Sequence, residues 1–232
     1  MADTLRINEV FFSIQGESTW AGRPCVFVRL TGCHLRCAYC DTAYAFHEGG
    51  NRTIDDIIAE VSSHPCELVE VTGGEPLLQQ RVHVLMSRLC DLGKTVLVET
   101  SGACDISVCD PRVIRIMDLK TPGSGEIERN LWSNIAHLNS LDEVKFVITD
   151  RADYEWALRM LKEHDIARRV KAVLFSAAFE QAEVLGVIAG CDGCSPRDLA
   201  EWMLADGATL PTNARMQTQM HKIIWDPQTR GV

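Results

Sequence analysis

The sequence predicts an α/β fold in which parallel strands are joined by crossover helices. Three observations carry that expectation. Short runs rich in β-branched and aromatic residues alternate with segments whose apolar residues recur at helical spacing. Polar, glycine-containing clusters fall at the carboxyl ends of those runs, where open parallel sheets and barrels place their ligands. The chain has 232 residues, which suits one domain over 1–232, and at this size about 70% of the unfolded surface can be buried.

In chain order, Leu5 to Ile14 alternates loosely between apolar and polar residues and reads as a strand ending at Gln15-Gly16-Glu17-Ser18, a polar turn able to face a ligand. Cys25 to Leu30 reads as a buried strand with Arg29 as its odd member. A charge there needs a partner, either a structural carboxylate such as Glu17 or the carboxylate of a ligand. Thr53-Ile54-Asp55-Asp56 resembles a capping box, and Ile54, Ile57, Ile58 and Val61 keep helical spacing, so a helix is expected from Thr53 to Ser63. Leu68 to Val71 reads as a strand entering Thr72-Gly73-Gly74-Glu75-Pro76, and Leu77 to Leu92 as a helix closed by Gly93. The rhythm continues with strands Thr95 to Val98, Val113 to Met117, Val144 to Ile148 and Lys171 to Phe175, and with a helix from Ala152 to His164. Pro122 to Glu126 is linker-like but too short to divide domains. Ala214 to Pro227 reads as a last strand with a polar exit.

The chemistry centres on Cys33, Cys37 and Cys40, spaced Cys-x3-Cys-x2-Cys between two strand-like runs. Closed zinc sites take four Cys or His ligands, and stable four-iron clusters usually take four cysteines. Three thiolates would leave one iron open to a substrate or cofactor. A zinc loop completed by His34, His47 or a distant cysteine is the alternative. Gly73-Gly74 would let a ligand approach the backbone, and Glu75 could accept from an ammonium group. The Thr42 hydroxyl could bind a hard cation such as Mg²⁺. Cys191-Asp192-Gly193-Cys194 reads as a turn, with an auxiliary metal site as its alternative.

Charge excludes other classes. Lys and Arg number 23 against 32 Asp and Glu, a formal net charge of -9, so no global field draws the chain to nucleic acid or an anionic membrane. The first residues lack a signal-peptide pattern, and no apolar run is long enough to span a bilayer, so a cytoplasmic location is expected. In a reducing compartment the ten cysteines read as ligands or small core residues rather than as a disulfide framework.

The cysteine loop, with Tyr39 just before the last thiol, resembles the signature of the radical S-adenosylmethionine (SAM) superfamily. Together with Ile14-Gln15-Gly16-Glu17, Arg29, the Cys40-Asp41-Thr42 ending, Thr72 to Pro76, Glu99 to Gly102 and His221-Lys222, the chain resembles the 7-carboxy-7-deazaguanine synthase family from about residue 7 to Pro227. That resemblance implies an incomplete, modified (βα)6 TIM-like barrel. It implies a carbon–nitrogen lyase of queuosine and related deazapurine biosynthesis, converting 6-carboxy-5,6,7,8-tetrahydropterin to 7-carboxy-7-deazaguanine with loss of ammonia. Its cofactors would be a [4Fe-4S] cluster on Cys33, Cys37 and Cys40, SAM, and Mg²⁺ at Thr42. SAM would lie along Tyr39, Gly74, Glu75, Ser101, Asp118, Leu119, Lys120 and Ser176. Ile14, Gln15, Gly16, Arg29, Thr72 and Pro227 would contact the pterin. A reductase such as flavodoxin or ferredoxin and a second copy of the chain are the implied partners, with no nucleic acid and no membrane. Two readings of other classes stay open: a radical SAM activase that installs a glycyl radical on a partner enzyme, and a non-enzymatic zinc-binding interaction module.

Overall fold

A computed structural model describes residues 3–226 and 229–232. Among them nine strands form one sheet: β1 (Thr4–Ile14), β2 (Pro24–Leu30), β3 (Gly50–Thr53), β4 (Leu68–Gly73), β5 (Thr95–Thr100), β6 (Ile114–Asp118), β7 (Glu143–Ile148), β8 (Ala172–Ala177) and β9 (Ala214–Gln217). Their order is β3-β1-β2-β4-β5-β6-β7-β8-β9. From β2 to β9 every neighbouring pair is parallel, as the alternation predicts. The first three strands depart from it: β1 is antiparallel to both β2 and β3, and β3 is an element the sequence reading missed. Gly-Asn-Arg-Thr has little apolar content to mark a strand; it forms by pairing with β1.

The helices are α1 (Ile54–Ser63), α2 (Val82–Asp91), α3 (Arg151–Glu163), α4 (Pro196–Ala205) and the one-turn α5 (His221–Ile224). Thr53 caps α1, its hydroxyl accepting from the Asp56 N–H at 3.1 Å, and Asp150 caps α3 by accepting from the Asp153 N–H at 2.9 Å. The helix expected from Leu77 to Leu92 is split, because Pro76–Leu78 forms a separate 3-10 turn before α2. No helix was expected over Pro196–Ala205, and the tail after β9 turns helical at α5 rather than leaving as an extended exit.

The crossovers around β6 also depart from the βα rhythm. No α-helix joins β5 to β6 or β6 to β7; the second connection holds 3-10 turns only. The buried Asn134 side chain satisfies backbone groups there that a helix would satisfy internally. It donates to the Gly102 and Cys104 carbonyls at 3.0 and 2.8 Å and accepts from the Ile106 N–H at 3.2 Å.

Strand residues alternate between two apolar layers. Val26, Val28, Val69, Val71, Val96 and Val98 face outward onto Ile57, Val61, Leu85 and Leu89 of the helices. Each such side chain contributes about 1.5–3 kcal/mol when fully buried, so this outer layer carries most of the stability. Cys25, Phe27, Leu68, Leu97, Ile114 and Ile116 face inward near the amino ends of their strands, with Phe11 and Trp20 packed on them. That plug closes the bottom of the incomplete barrel and leaves the carboxyl ends open.

Candidate active site

Above the plug lies a cavity of about 310 Å³, lined from β1, β2, β4 to β8, the cysteine loop and the chain around His221. The cysteine loop forms its upper wall, and Cys33, Cys37 and Cys40 all reach it as free thiols. The loop's shape is held from outside. Ala38 N–H donates to the Ser124 carbonyl at 2.9 Å, and Arg36 N–H to the Glu126 carboxylate at 2.5 Å. The segment Pro122 to Glu126, linker-like in sequence, is therefore the loop's anchor. Asp153 fixes that segment in turn by accepting from Gly123 N–H at 2.8 Å and the Thr121 hydroxyl at 3.0 Å.

Burial pushes all three thiols up from the ordinary value, Cys40 to about 12, where the charge of Asp41 adds to the effect. A bound cation reverses that balance, since it favours the thiolate. Among the described residues no group of three or more His, Cys, Asp or Glu is gathered tightly enough for a single metal ion. Three thiols around one cavity fit a cluster with one iron open to another group, and lack the fourth protein ligand of a closed structural zinc site.

The glycines at the end of β4 serve the backbone more than a ligand. Gly73 has φ +148, and a Cβ on it would strike the Leu30 backbone; a Cβ on Gly74 would strike Gly32 and Cys33. They let β4 press against the base of the cysteine loop. Glu75 does not reach the cavity as expected. It is fully buried and accepts from Leu77 N–H at 3.0 Å, Thr100 Oγ1 at 2.9 Å, Ser101 N–H at 2.7 Å and Ser101 Oγ at 2.5 Å. Those donors satisfy its carboxylate, so Glu75 pins the rim. Leu119 likewise turns into the outer core, while Asp118 and Lys120 on either side of it line the cavity and pair at 2.8 Å.

Tyr39, Gly74, Ser101 and Ser176 line the cavity. The Tyr39 hydroxyl and Asp118 Oδ1 are buried without a hydrogen-bond partner, which fits a polar ligand lying between them. Thr42 is also present, its hydroxyl donating to Asp41 at 2.8 Å. Burial alone would raise Asp41, but Lys222, 2.6 Å away, and Thr42 hold its carboxyl well below the usual range.

Ile14, Gln15, Gly16, Arg29 and Thr72 converge lower down; Pro227 lies outside the described residues. Arg29 pairs with Glu9 at 2.8 Å, not with Glu17. Glu17 instead accepts from Lys145 Nζ at 3.0 Å, Gln217 at 3.1 Å and Gln219 at 2.8 Å, bridging the unpaired gap between β1 and β9. Burial works against the charges here, yet Lys145 draws Glu17 down, and Glu17 with Glu99 holds Lys145 well above its ordinary value. Gly16 packs so closely on His221 that a Cβ would sit 2.5 Å from Nδ1.

Among the lining residues, Glu70 and Lys145 had no place in the sequence reading, and Asp41 and Glu99 stood there only as parts of motifs. The signal for Glu70 and Lys145 was the one that marked Arg29, a charge inside an apolar strand run. Among the described residues, the Cys191–Cys194 turn gathers no third His, Cys, Asp or Glu into a ligand group, and both thiols are free; Cys191 sits in a bridge with Gln181, and Cys194 packs on the outer core.

Residues 27–118 match the model of the Radical SAM superfamily. The chain is 44% identical to the 7-carboxy-7-deazaguanine synthase of Koribacter versatilis, over 98% of this chain and 100% of that one. It is 46% identical to the 7-carboxy-7-deazaguanine synthase of Chlorobaculum tepidum, over 98% and 97%. The crystal structure of QueE from Escherichia coli shares the fold, with TM-score 0.70 at 22% identity, covering 94% of this chain and 95% of that one. Neither a zinc module nor a glycyl-radical activase has a counterpart among these proteins.

Proposed function

Because the chain belongs to the 7-carboxy-7-deazaguanine synthase family of radical SAM enzymes, we propose that it converts 6-carboxy-5,6,7,8-tetrahydropterin to 7-carboxy-7-deazaguanine with loss of ammonia. One observation carries the reading: the three thiols, the β-strand ends and the Gln15-Gly16 turn meet in a single cavity. Cys33, Cys37 and Cys40 would hold a [4Fe-4S] cluster beside the SAM. Bound together, that pair supplies reductive cleavage of SAM and hydrogen-atom abstraction from the substrate.

The chain's own residues then orient and exclude water. Tyr39, Gly74, Ser101, Asp118, Lys120 and Ser176 lie along SAM. Ile14, Gln15, Gly16, Arg29 and Thr72 position the pterin, with the Arg29 guanidinium serving its carboxylate. Thr42, beside an Asp41 fixed by Lys222, would hold Mg²⁺. The apolar plug beneath keeps bulk water from the reacting ring. The enzyme works as one catalytic domain over 1–232, as a homodimer in the cytoplasm, with a flavodoxin or ferredoxin as reductant. No helix among the described residues is long and apolar enough to cross a membrane.

The test is anaerobic incubation of reconstituted, reduced protein with SAM, Mg²⁺ and the pterin, read by mass spectrometry. 7-Carboxy-7-deazaguanine is expected from the wild type and none from Cys37→Ala. Accumulation of 5′-deoxyadenosine alone would retain the radical chemistry and refute the substrate.

A further inference from the structure

The cavity floor holds one carboxyl group that the fold leaves half used. Glu70 is 2% exposed and sits on the inward face of β4, between Leu68 of the plug and Thr72. Its Oε2 accepts from Gln15 Nε2 at 2.5 Å, and its Oε1 has no hydrogen-bond partner among the described residues. The neighbouring floor carboxylates are committed: Glu17 to Lys145, Gln217 and Gln219, and Glu99 to Lys145, with Thr72 at 3.5 Å.

We propose that Glu70 is a specificity-determining residue: with Gln15, it reads the hydrogen-bonding edge of the substrate's 2-amino-4-oxopyrimidine ring. The inference rests on the pterin reading above and names the group that selects the ring. That edge presents, in order, an oxygen acceptor, a ring N–H and an amino N–H. A carboxylate opposite two adjacent N–H groups makes the paired contact it makes with a guanidinium. The Gln15 amide is orientated to complete the set. Its Oε1 accepts from Glu17 N–H and one Nε2 hydrogen goes to Glu70, so the other hydrogen is left for the ring's 4-oxo group. Arg29 lies one inward position above, since Phe27 is opposite Glu70 and Arg29 opposite Thr72. That step is about 7 Å, the span a bicyclic ring needs with its carboxylate above and its amino edge below.

The groups facing Glu70 also predict how binding depends on pH. Burial first, then Glu99 on β5 and Glu17 beyond the end of β1, push Glu70 up to about 8; Gln15 and Lys145 on β7 oppose them, and the Cys25 thiol on β2 is a further neighbour. Below that value the empty site carries a neutral acid. Two ring N–H donors favour the carboxylate, so substrate binding expels a proton and KM falls as pH rises from 6.5 to 8, by up to about ten-fold per unit.

The experiment uses the cluster-loaded enzyme with the pterin and with an analogue carrying hydrogen in place of the 2-amino group. Glu70→Gln keeps the bond to Gln15 but removes the charge. It should raise KM for the pterin at least ten-fold at pH 8, with the loss on KM rather than kcat. It should also flatten the pH profile of KM and raise the analogue's KM by a clearly smaller factor than the pterin's, because the analogue keeps the ring N–H but lacks the amino N–H. Glu70→Asp should recover part of the pterin affinity and its pH dependence. Equal KM increases for both substrates, or an unchanged pterin KM in Glu70→Gln, would overturn the proposal while conversion by the wild type keeps the reaction itself. Failure of the wild type to convert the pterin overturns both.

Discussion

Glu70 at the cavity's floor lies within β4, Glu75 at its rim lies two residues past that strand's end, and both are buried, yet they are built into opposite kinds of surroundings. Four donors converge on Glu75, two of them backbone N–H groups, and tie the end of β4 to the Thr100-Ser101 turn. Glu70 has one donor, and like-charged neighbours behind it. A buried carboxylate with saturated acceptors shapes the backbone around it; one with an oxygen to spare is a place where a ligand completes the structure. The rim is therefore rigid before anything binds, whereas the floor is finished by the substrate.

The largest expected effect tests whether the floor's charges hold together as a set. Lys145 is buried between Glu17 and Glu99, and removing it strands two carboxylates in the interior. Lys145→Met should cost about 3–5 kcal/mol in urea-induced unfolding of the apoprotein. A loss below about 1 kcal/mol would mean that water already reaches the floor, and the contrast with the rim would fail. At the rim, Glu75→Ala should cost about 2–4 kcal/mol, because the N–H groups of Leu77 and Ser101 lose their acceptor. Glu75→Gln, which keeps an acceptor oxygen, should restore part of it. A Glu75→Gln protein as unstable as Glu75→Ala would show that charge, not hydrogen bonding, pins the turn.

The same contrast explains which parts were legible in the sequence. The outer layer was readable because Val69 and Val71 or Ile57 and Val61 repeat at the period of their element. The cysteine loop was readable because its chemistry needs those thiols at that spacing. Glu75 was misread as a ligand group, since nothing local says that Thr100 and Ser101 will fold back onto it. Glu9 as the partner of Arg29 depends on the antiparallel pairing of β1 with β2, which the βα rhythm did not suggest. The anchoring of the cysteine loop by Ser124 and Glu126 joins segments about 90 residues apart, beyond any local pattern. Glu70 was visible as a charge within Leu-Val-Glu-Val, but its role depends on Gln15 arriving from another strand.

The smallest effect is the most specific to the floor. Glu70 lies near 8 in the fold against an ordinary value of 4.5, so between those limits the folded apoprotein keeps a proton that the unfolded chain has released. Stability from this group is therefore full below about 4.5 and is lost as pH rises through about 8, with a slope of at most about 1.4 kcal/mol per pH unit. Glu70→Gln has no proton to lose there. Comparing unfolding midpoints at pH 6 and pH 7, wild-type apoprotein should lose up to about 1.4 kcal/mol relative to the variant. Saturating pterin should reduce that difference in the cluster-loaded enzyme, because the ring's N–H groups stabilise the carboxylate that burial disfavours. A difference between wild type and variant that does not change with pH would mean that Glu70 ionises freely in the empty cavity. The floor would then be as complete as the rim before the substrate arrives.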